Sequence, residues 1–202
     1  MPSTQRKGAP APLRSPCFAG ETTVAAASPI FTIGHSTRPV SELVELLRQA
    51  SVDLLVDVRS VPRSRTNPQF NAEALPQALA AAGIGYHHLG ALGGLRGRRK
   101  DGAPSQNTLW RNDAFRNYAD YAATGQFRAG LDQLIELAED HRCAIMCAEA
   151  VWWRCHRRIV ADYLLVRGIP VTHIMGPGKV DPATITPGAL PIADGTIRYS
   201  RS

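Results

Sequence analysis

Five short apolar runs alternate with helix-period segments through most of this chain, and that alternation leaves few folds open. The runs fall at residues 30–33, 54–56, 84–88, 143–146 and 171–175. After the first, Val40, Leu43, Val44 and Leu47 recur at i, i+3, i+4 and i+7, which lays one helix face on a core. Leu75, Leu79 and Ala82 mark a second helix. Pro76 cannot donate to the carbonyl four residues back, so this helix begins late or bends. Phe115, Tyr118, Ala119 and Ala122 predict a third, and Phe127, Leu131, Leu134, Ile135 and Ala138 a fourth. Ile159, Val160, Tyr163 and Leu164 predict a fifth, stopped by Gly168. The order β-α-β-α-β-α-α-β-α-β predicts an α/β fold. The expected form is a three-layer sandwich with a mostly parallel five-stranded sheet, Rossmann-like or rhodanese-like in general architecture. One more edge strand is expected at 196–199.

Length and composition bound the rest. The 202 residues suit a single α/β domain over 30–202, preceded by a tail over 1–29. That tail is rich in Pro, Ala, Ser and Gly and lacks periodicity, so it is expected to be flexible. A hydrophobic share of 44% is enough for a sizeable core. No run of about 18 apolar residues occurs, so no transmembrane helix and no membrane partner are expected. Pro10, Pro12, Arg14 and Pro16 interrupt any apolar stretch of a secretory signal. The cysteines, Cys17, Cys143, Cys147 and Cys155, are too few and too clustered for a disulfide scaffold, which predicts a reducing, cytoplasmic setting. A net charge of +6 permits an anionic small molecule or a nucleic acid as partner without demanding either.

In parallel sheets flanked by helices, ligands bind outside the carboxyl ends of the strands. His35 and Ser36 follow the first run, and Asp57 and Arg59 end the second. His87 and His88 end the third, and Cys147 and Glu149 follow the fourth. Groups scattered along the chain thus gather at one rim. The densest stretch, 147–157, reads Cys-Ala-Glu-Ala-Val-Trp-Trp-Arg-Cys-His-Arg.

Each group there has a functional reading and a plainer one. Cys147 stands between a strand and a helix start, where backbone N–H groups and arginines would activate a thiolate nucleophile; otherwise it is a buried structural thiol. Glu149 is a candidate general acid or base, or one arm of a loop-stiffening ion pair. Cys155, His156 and Arg157 open a helix whose N–H groups suit an anion; His156 could instead pack under the loop. His35 is a candidate catalytic group or a satisfied core-edge histidine, and Asp57 most simply pairs with Arg59. Ser36, Asp57, Arg59 and Arg65 complete the expected ligand-binding set. A shared metal among Cys147, Cys155, His156 and His35 is disfavoured. No Cys-x2-Cys or His-x3-His pair exists, and adjacent residues rarely reach one ion. No metal or cofactor is therefore expected. Arg59, Arg63 and Arg65, with a second basic loop at 96–100, could clamp phosphates, and Phe70, Trp152 and Trp153 could stack on bases. The Gly-rich stretch 90–111 is long enough without regular structure to suggest a lid or binding loop.

The chain also resembles a known family of bacteria and archaea. The matching pieces are Thr32-Ile33-Gly34-His35-Ser36, then Asp57-Val58-Arg59-Ser60-Val61-Pro62-Arg63-Ser64-Arg65 with Pro68-Gln69-Phe70-Asn71. Tyr86, Leu92-Gly93-Gly94 and Cys147-x-Glu149 … Cys155-His156-Arg157 complete them. Over about 30–175 these are similar to the domain-of-unknown-function 488 family. The resemblance implies an α/β domain and carries no catalytic assignment. Ala150-Val151-Trp152-Trp153 depart from it, standing where polar or charged residues are expected. The residues together predict a protein acting on a phosphate-bearing ligand, a nucleotide or a nucleic-acid end, in a cleft at the strand ends. A non-catalytic nucleic-acid-binding module and a sulfur-transfer or redox enzyme using Cys147 are the alternatives.

Overall fold

The computed structural model describes residues 28–99 and 101–201. The tail expected over 1–29 thus lies almost wholly outside the described residues, as do Cys17 and Lys100. Six strands form one sheet in the order β3-β2-β4-β1-β5-β6. They are β1 (Ile30–Gly34), β2 (Leu54–Asp57), β3 (Gly85–His88), β4 (Cys143–Cys147), β5 (Val171–Gly176) and β6 (Lys179–Pro182). The first five run parallel, and β6 turns back antiparallel on β5. The sheet therefore has six strands, one more than expected.

The strands show why the sheet sits inside. In β1, β2 and β4 every residue is buried, and alternate side chains enter two separate cores. Ile30, Leu54, Val56, Cys143 and Ile145 join one core with Tyr118, Phe127, Leu131, Leu134 and Ile159. These come from α3 (Asp113–Ala122), α4 (Gly125–Asp140) and α5 (Arg157–Val166). Phe31, Ile33, Leu55, Ala144 and Met146 join the other with Leu43, Leu46, Leu47, Leu75 and Leu79. These come from α1 (Val40–Gln49) and α2 (Leu75–Ala80). Helices thus cover both faces, as a sheet of continuous apolar strands requires. Pro76 falls in the first turn of α2, where its missing N–H has no helical partner to lose, so the helix begins late and does not bend.

The expected edge strand at 196–199 does not join the sheet. Its counterpart β8 (Ile197–Tyr199) pairs with β7 (Ala189–Pro191) in a separate two-stranded ribbon. The Tyr199 hydroxyl anchors that ribbon by donating to Asp162 of α5 at 3.0 Å.

Strand order fixes where a crevice opens. Neighbouring strands β1 and β4 lead into α1 and α5, which lie on opposite faces of the sheet. The chain therefore parts at their carboxyl ends, and such a switch point leaves a gap that neither helix fills.

Candidate active site at the strand ends

Gly34 makes the close approach at this switch point. The β1–β4 pairing continues past the strands, with His35 N–H donating to Cys147 O at 2.9 Å and Ser36 N–H to Ala148 O at 3.0 Å. The loop after β4 then folds back over Gly34. A Cβ at Gly34 would stand 1.9 Å from the Glu149 carbonyl oxygen and 2.8 Å from that of Ala150, so only glycine fits. Arg157, buried in the first turn of α5, holds the same loop from the other side. Its guanidinium donates to the Glu149 carbonyl at 2.7 Å, and its Nε to Cys155 Sγ at 3.3 Å.

A cavity of about 550 Å³ opens here. Cys147, Cys155, His156, His35 and Arg59 line it, together with Glu149 on one wall. Arg63 and Arg154 also line it, and both are exposed. The apolar Val61 and Leu95 stand exposed beside them, at 59% and 78% of their surface.

Asp57 and Arg59 form the buried support of this floor. Asp57 is wholly inaccessible. Its carboxylate accepts from Arg59 Nε at 2.9 and 3.1 Å, from the Arg59 backbone N–H at 3.1 Å and from the Tyr86 hydroxyl at 2.9 Å. Arg59 also donates to the Phe70 carbonyl at 2.6 Å and meets His35 Nε2 at 3.3 Å. The His35 ring stacks on Phe70 with centroids 4.2 Å apart. Its Nδ1 lies 2.8 Å from the Ser36 carbonyl and must donate there, which leaves Nε2 as the acceptor facing Arg59. Burial, opposed by that hydrogen bond and aided by Arg59, brings the His35 pKa down to about 4. His35 is thus a neutral acceptor at physiological pH.

The thiols meet around His156. Cys147 Sγ lies 3.8 Å and Cys155 Sγ 3.6 Å from His156 Nδ1, while Nε2 reaches the Val58 carbonyl at 3.1 Å. Adjacent Cys155 and His156 both reach this point because the backbone changes conformation between them. Cys155 is extended (φ −125°, ψ 149°), and His156 is already helical (φ −57°, ψ −19°). One thiol keeps its proton for the other. The hydrogen bond to Cys155, then burial, push Cys147 up. Burial opposes ionisation of Cys155 too, but the hydrogen bond from Cys147 and the neighbouring His156 and Arg157 outweigh it and hold Cys155 well below the usual thiol range.

The expected site residues divide into three groups. His35, Ser36, Arg59, Cys147, Glu149, Cys155 and His156 come together around the cavity. Asp57 and Arg157 stand behind it, holding Arg59 and the post-β4 loop. Arg65 is exposed and does not line it. The basic loop at 96–100 is also partly engaged: Arg96 donates to the carbonyls of Gly90, Ala91 and Gly93 and lies over the Tyr121 ring, and Arg99 pairs with Asp101. Trp152 stacks on His173, centroids 4.4 Å apart, so one of its faces is taken; Trp153 is 46% exposed. Sequence reasoning missed Gly94, whose Cα packs on the His156 ring; a Cβ there would stand 2.4 Å from Nδ1. The signal for it was the pair Gly93-Gly94, since paired glycines mark close backbone approach.

A family model described as a domain of unknown function, DUF488, matches residues 39–164. No curated protein and no solved structure matches the chain.

Proposed function

The chain belongs to the domain-of-unknown-function 488 family, and from its cleft we propose that it binds an anionic, phosphate-bearing organic ligand for reaction at the strand ends. One observation carries this reading. The mouth of the cavity pairs the exposed cations Arg63 and Arg154 with the exposed apolar side chains Val61 and Leu95. A nucleotide or a nucleic-acid end has the matching two-part character, an anion beside an apolar ring. Glu149 is the one carboxylate among the lining residues and takes the role of general acid or base. The buried arginines serve differently. Arg59 and Arg157 have acceptors within the protein, so they shape the floor and leave the ligand charge to the mouth. A purely electrostatic nucleic-acid module has less support, because Arg96, at the head of the second basic loop, is already taken up by three backbone carbonyls.

The test is calorimetric titration of the full chain with mononucleotides, sugar phosphates and short oligonucleotides with and without a terminal phosphate. Arg154→Ala and Arg63→Ala should each weaken phosphate-dependent binding by about tenfold, the size of one charge-assisted contact. Affinity unchanged in both variants, or no preference for phosphate in the panel, refutes the reading. A second reading, thiol chemistry, is favoured by the two sulfurs and the imidazole that share the cavity floor. Loss of turnover in Cys147→Ser with ligand binding intact would select it.

A further inference from the structure

Cys147, Cys155 and His156 form the one group of three or more His, Cys, Asp or Glu side chains among the described residues whose ligand atoms gather tightly enough to hold an ion. All three atoms lie within 4.8 Å of one another. Two of their three separations match a specific coordination. A tetrahedral zinc-class ion with metal–sulfur bonds of about 2.3 Å and a metal–nitrogen bond of about 2.0 Å has sulfur–nitrogen edges of about 3.6 Å. The two sulfur–nitrogen distances here are 3.8 and 3.6 Å. A ligand set usually has to be drawn together by its ion; here the spacing already exists.

The imidazole is also oriented as a ligand needs. Its Nε2 lies 3.1 Å from the Val58 carbonyl and donates there, so the Nδ1 lone pair faces the two sulfurs. Metal-binding histidines generally fix their tautomer by such a bond to a backbone carbonyl. The ring has no freedom to turn away. Gly94 packs directly on it, and the Tyr118 ring stands 5.0 Å from it. Cys155 Sγ has its own supporting donor, Arg157 Nε at 3.3 Å. That contact offsets charge on a thiolate without occupying a coordination position.

We propose that Cys147 Sγ, Cys155 Sγ and His156 Nδ1 bind one zinc-class divalent cation at the cavity floor, leaving a fourth coordination position open to the cleft. Two thiolates and one imidazole suit a borderline-soft tetrahedral ion, and three protein ligands with one vacancy are the arrangement of a reactive ion rather than a purely structural one. All three residues line the cavity, so the vacancy is reachable by water or by an anionic oxygen of a ligand. Binding exchanges whatever proton the thiols still carry for the ion: the Cys147 S–H bond breaks, its proton leaves to solvent, and two S–metal bonds form, the second from the Cys155 sulfur already held as the thiolate. The inference deepens the cleft reading by naming an ion at its floor.

Cobalt(II) titration of the reduced, chelator-treated full chain tests this. One equivalent should produce a thiolate-to-cobalt charge-transfer band with the visible spectrum of a tetrahedral ion, and zinc should displace it. Cys147→Ser and Cys155→Ser should each reduce the charge-transfer intensity by about half. Each should weaken zinc binding beyond the roughly 10–100-fold that loss of a supporting partner costs. Cys143→Ser, at the opposite end of β4, should keep the full band. If a cysteine variant does not fold, X-ray absorption of the zinc-loaded parent gives the same answer through two sulfur neighbours and one imidazole nitrogen. No charge-transfer band with all thiols reduced, an undiminished band in both serine variants, or a zinc shell without sulfur overturns the proposal. The parent chain separates the two readings: no phosphate-dependent binding in the ligand panel beside a full cobalt band leaves the ion site standing and the cleft reading refuted, whereas phosphate-dependent binding that Arg154→Ala weakens, beside no cobalt band, leaves the cleft standing without the ion.

Discussion

Replacing Asp57 by asparagine keeps its shape and removes its charge, which makes it a sharp probe of the frame beneath the site. The carboxylate takes two contacts from Arg59 Nε, one from its Nη2, one from the Arg59 backbone and one from Tyr86. An amide nitrogen would replace one accepting oxygen, so at least one donor would face another donor. Arg59 would also lose its countercharge while only 6% exposed. Breaking a buried pair by removing one partner costs about 3–5 kcal/mol. For a chain of this size each kcal/mol moves Tm by roughly 2–4 °C, so Asp57→Asn should lower Tm by roughly 6–20 °C. Arg59→Met should cost about as much, because it strands the carboxylate. The double variant should cost less than the sum of the two by about 3 kcal/mol, since neither charge is then left alone. Urea unfolding of the four proteins closes the cycle. A cost for Asp57→Asn below about 1 kcal/mol, or single effects that add within about 0.5 kcal/mol, would refute the argument that this pair acts as one buried unit.

Two further outcomes follow from the same geometry. Gly34→Ala should destabilise by about 1–3 kcal/mol or more and displace the Glu149 loop, since a Cβ 1.9 Å from a backbone oxygen forces the backbone to move; an unchanged urea midpoint would contradict the close approach. Acid should weaken the fold through His35 and His173, both lowered by burial from an ordinary 6.5 to about 4. Unfolded chains take up these protons below about 6.5 while the folded protein refuses them until about 4, so stability present at neutral pH is lost across that window, on the order of 1–2 kcal/mol per ring with water near the cleft. Urea midpoints between pH 7 and 4.5 check the slope, and His173→Gln should flatten it.

Much of the architecture was legible because periodicity reports burial directly. Runs such as Leu54-Leu55-Val56 are apolar on both faces, and the five parallel strands and five helices follow in the expected order. β6 was not legible. Lys179, Val180, Asp181 and Pro182 are mostly exposed at a sheet edge, where no core imposes a pattern. β8 was visible as a strand, but its partner was not, because three-residue strands carry too few side chains to specify a pairing. At the site, the rule for parallel sheets found the rim, since it needs only strand ends. It could not say which groups face the cleft. The pairing of Arg59 with Asp57 was expected from their spacing, but no residue pattern marks the backbone carbonyls that take up Arg96 and Arg157.

That difference decides where the cleft carries its charge. If Arg59 and Arg157 were free, positive charge would lie at the floor and an anion would bury itself against β1 and β4. With both engaged, the floor is a neutral imidazole, His35, beside the Cys147–Cys155–His156 group, and the positive charge at the mouth comes from exposed Arg154 and from exposed Arg63, which would exchange its solvent-screened pair with Glu73 for a ligand. The adjacency of Cys155 and His156 has the same lesson. Two neighbouring side chains in one regular element diverge, but a residue that is extended before one that is helical turns both inward. Helix starts are where backbone conformation changes most abruptly, so they are where spacing rules drawn from regular elements lose their force and where reactive groups adjacent in sequence can still share a single centre.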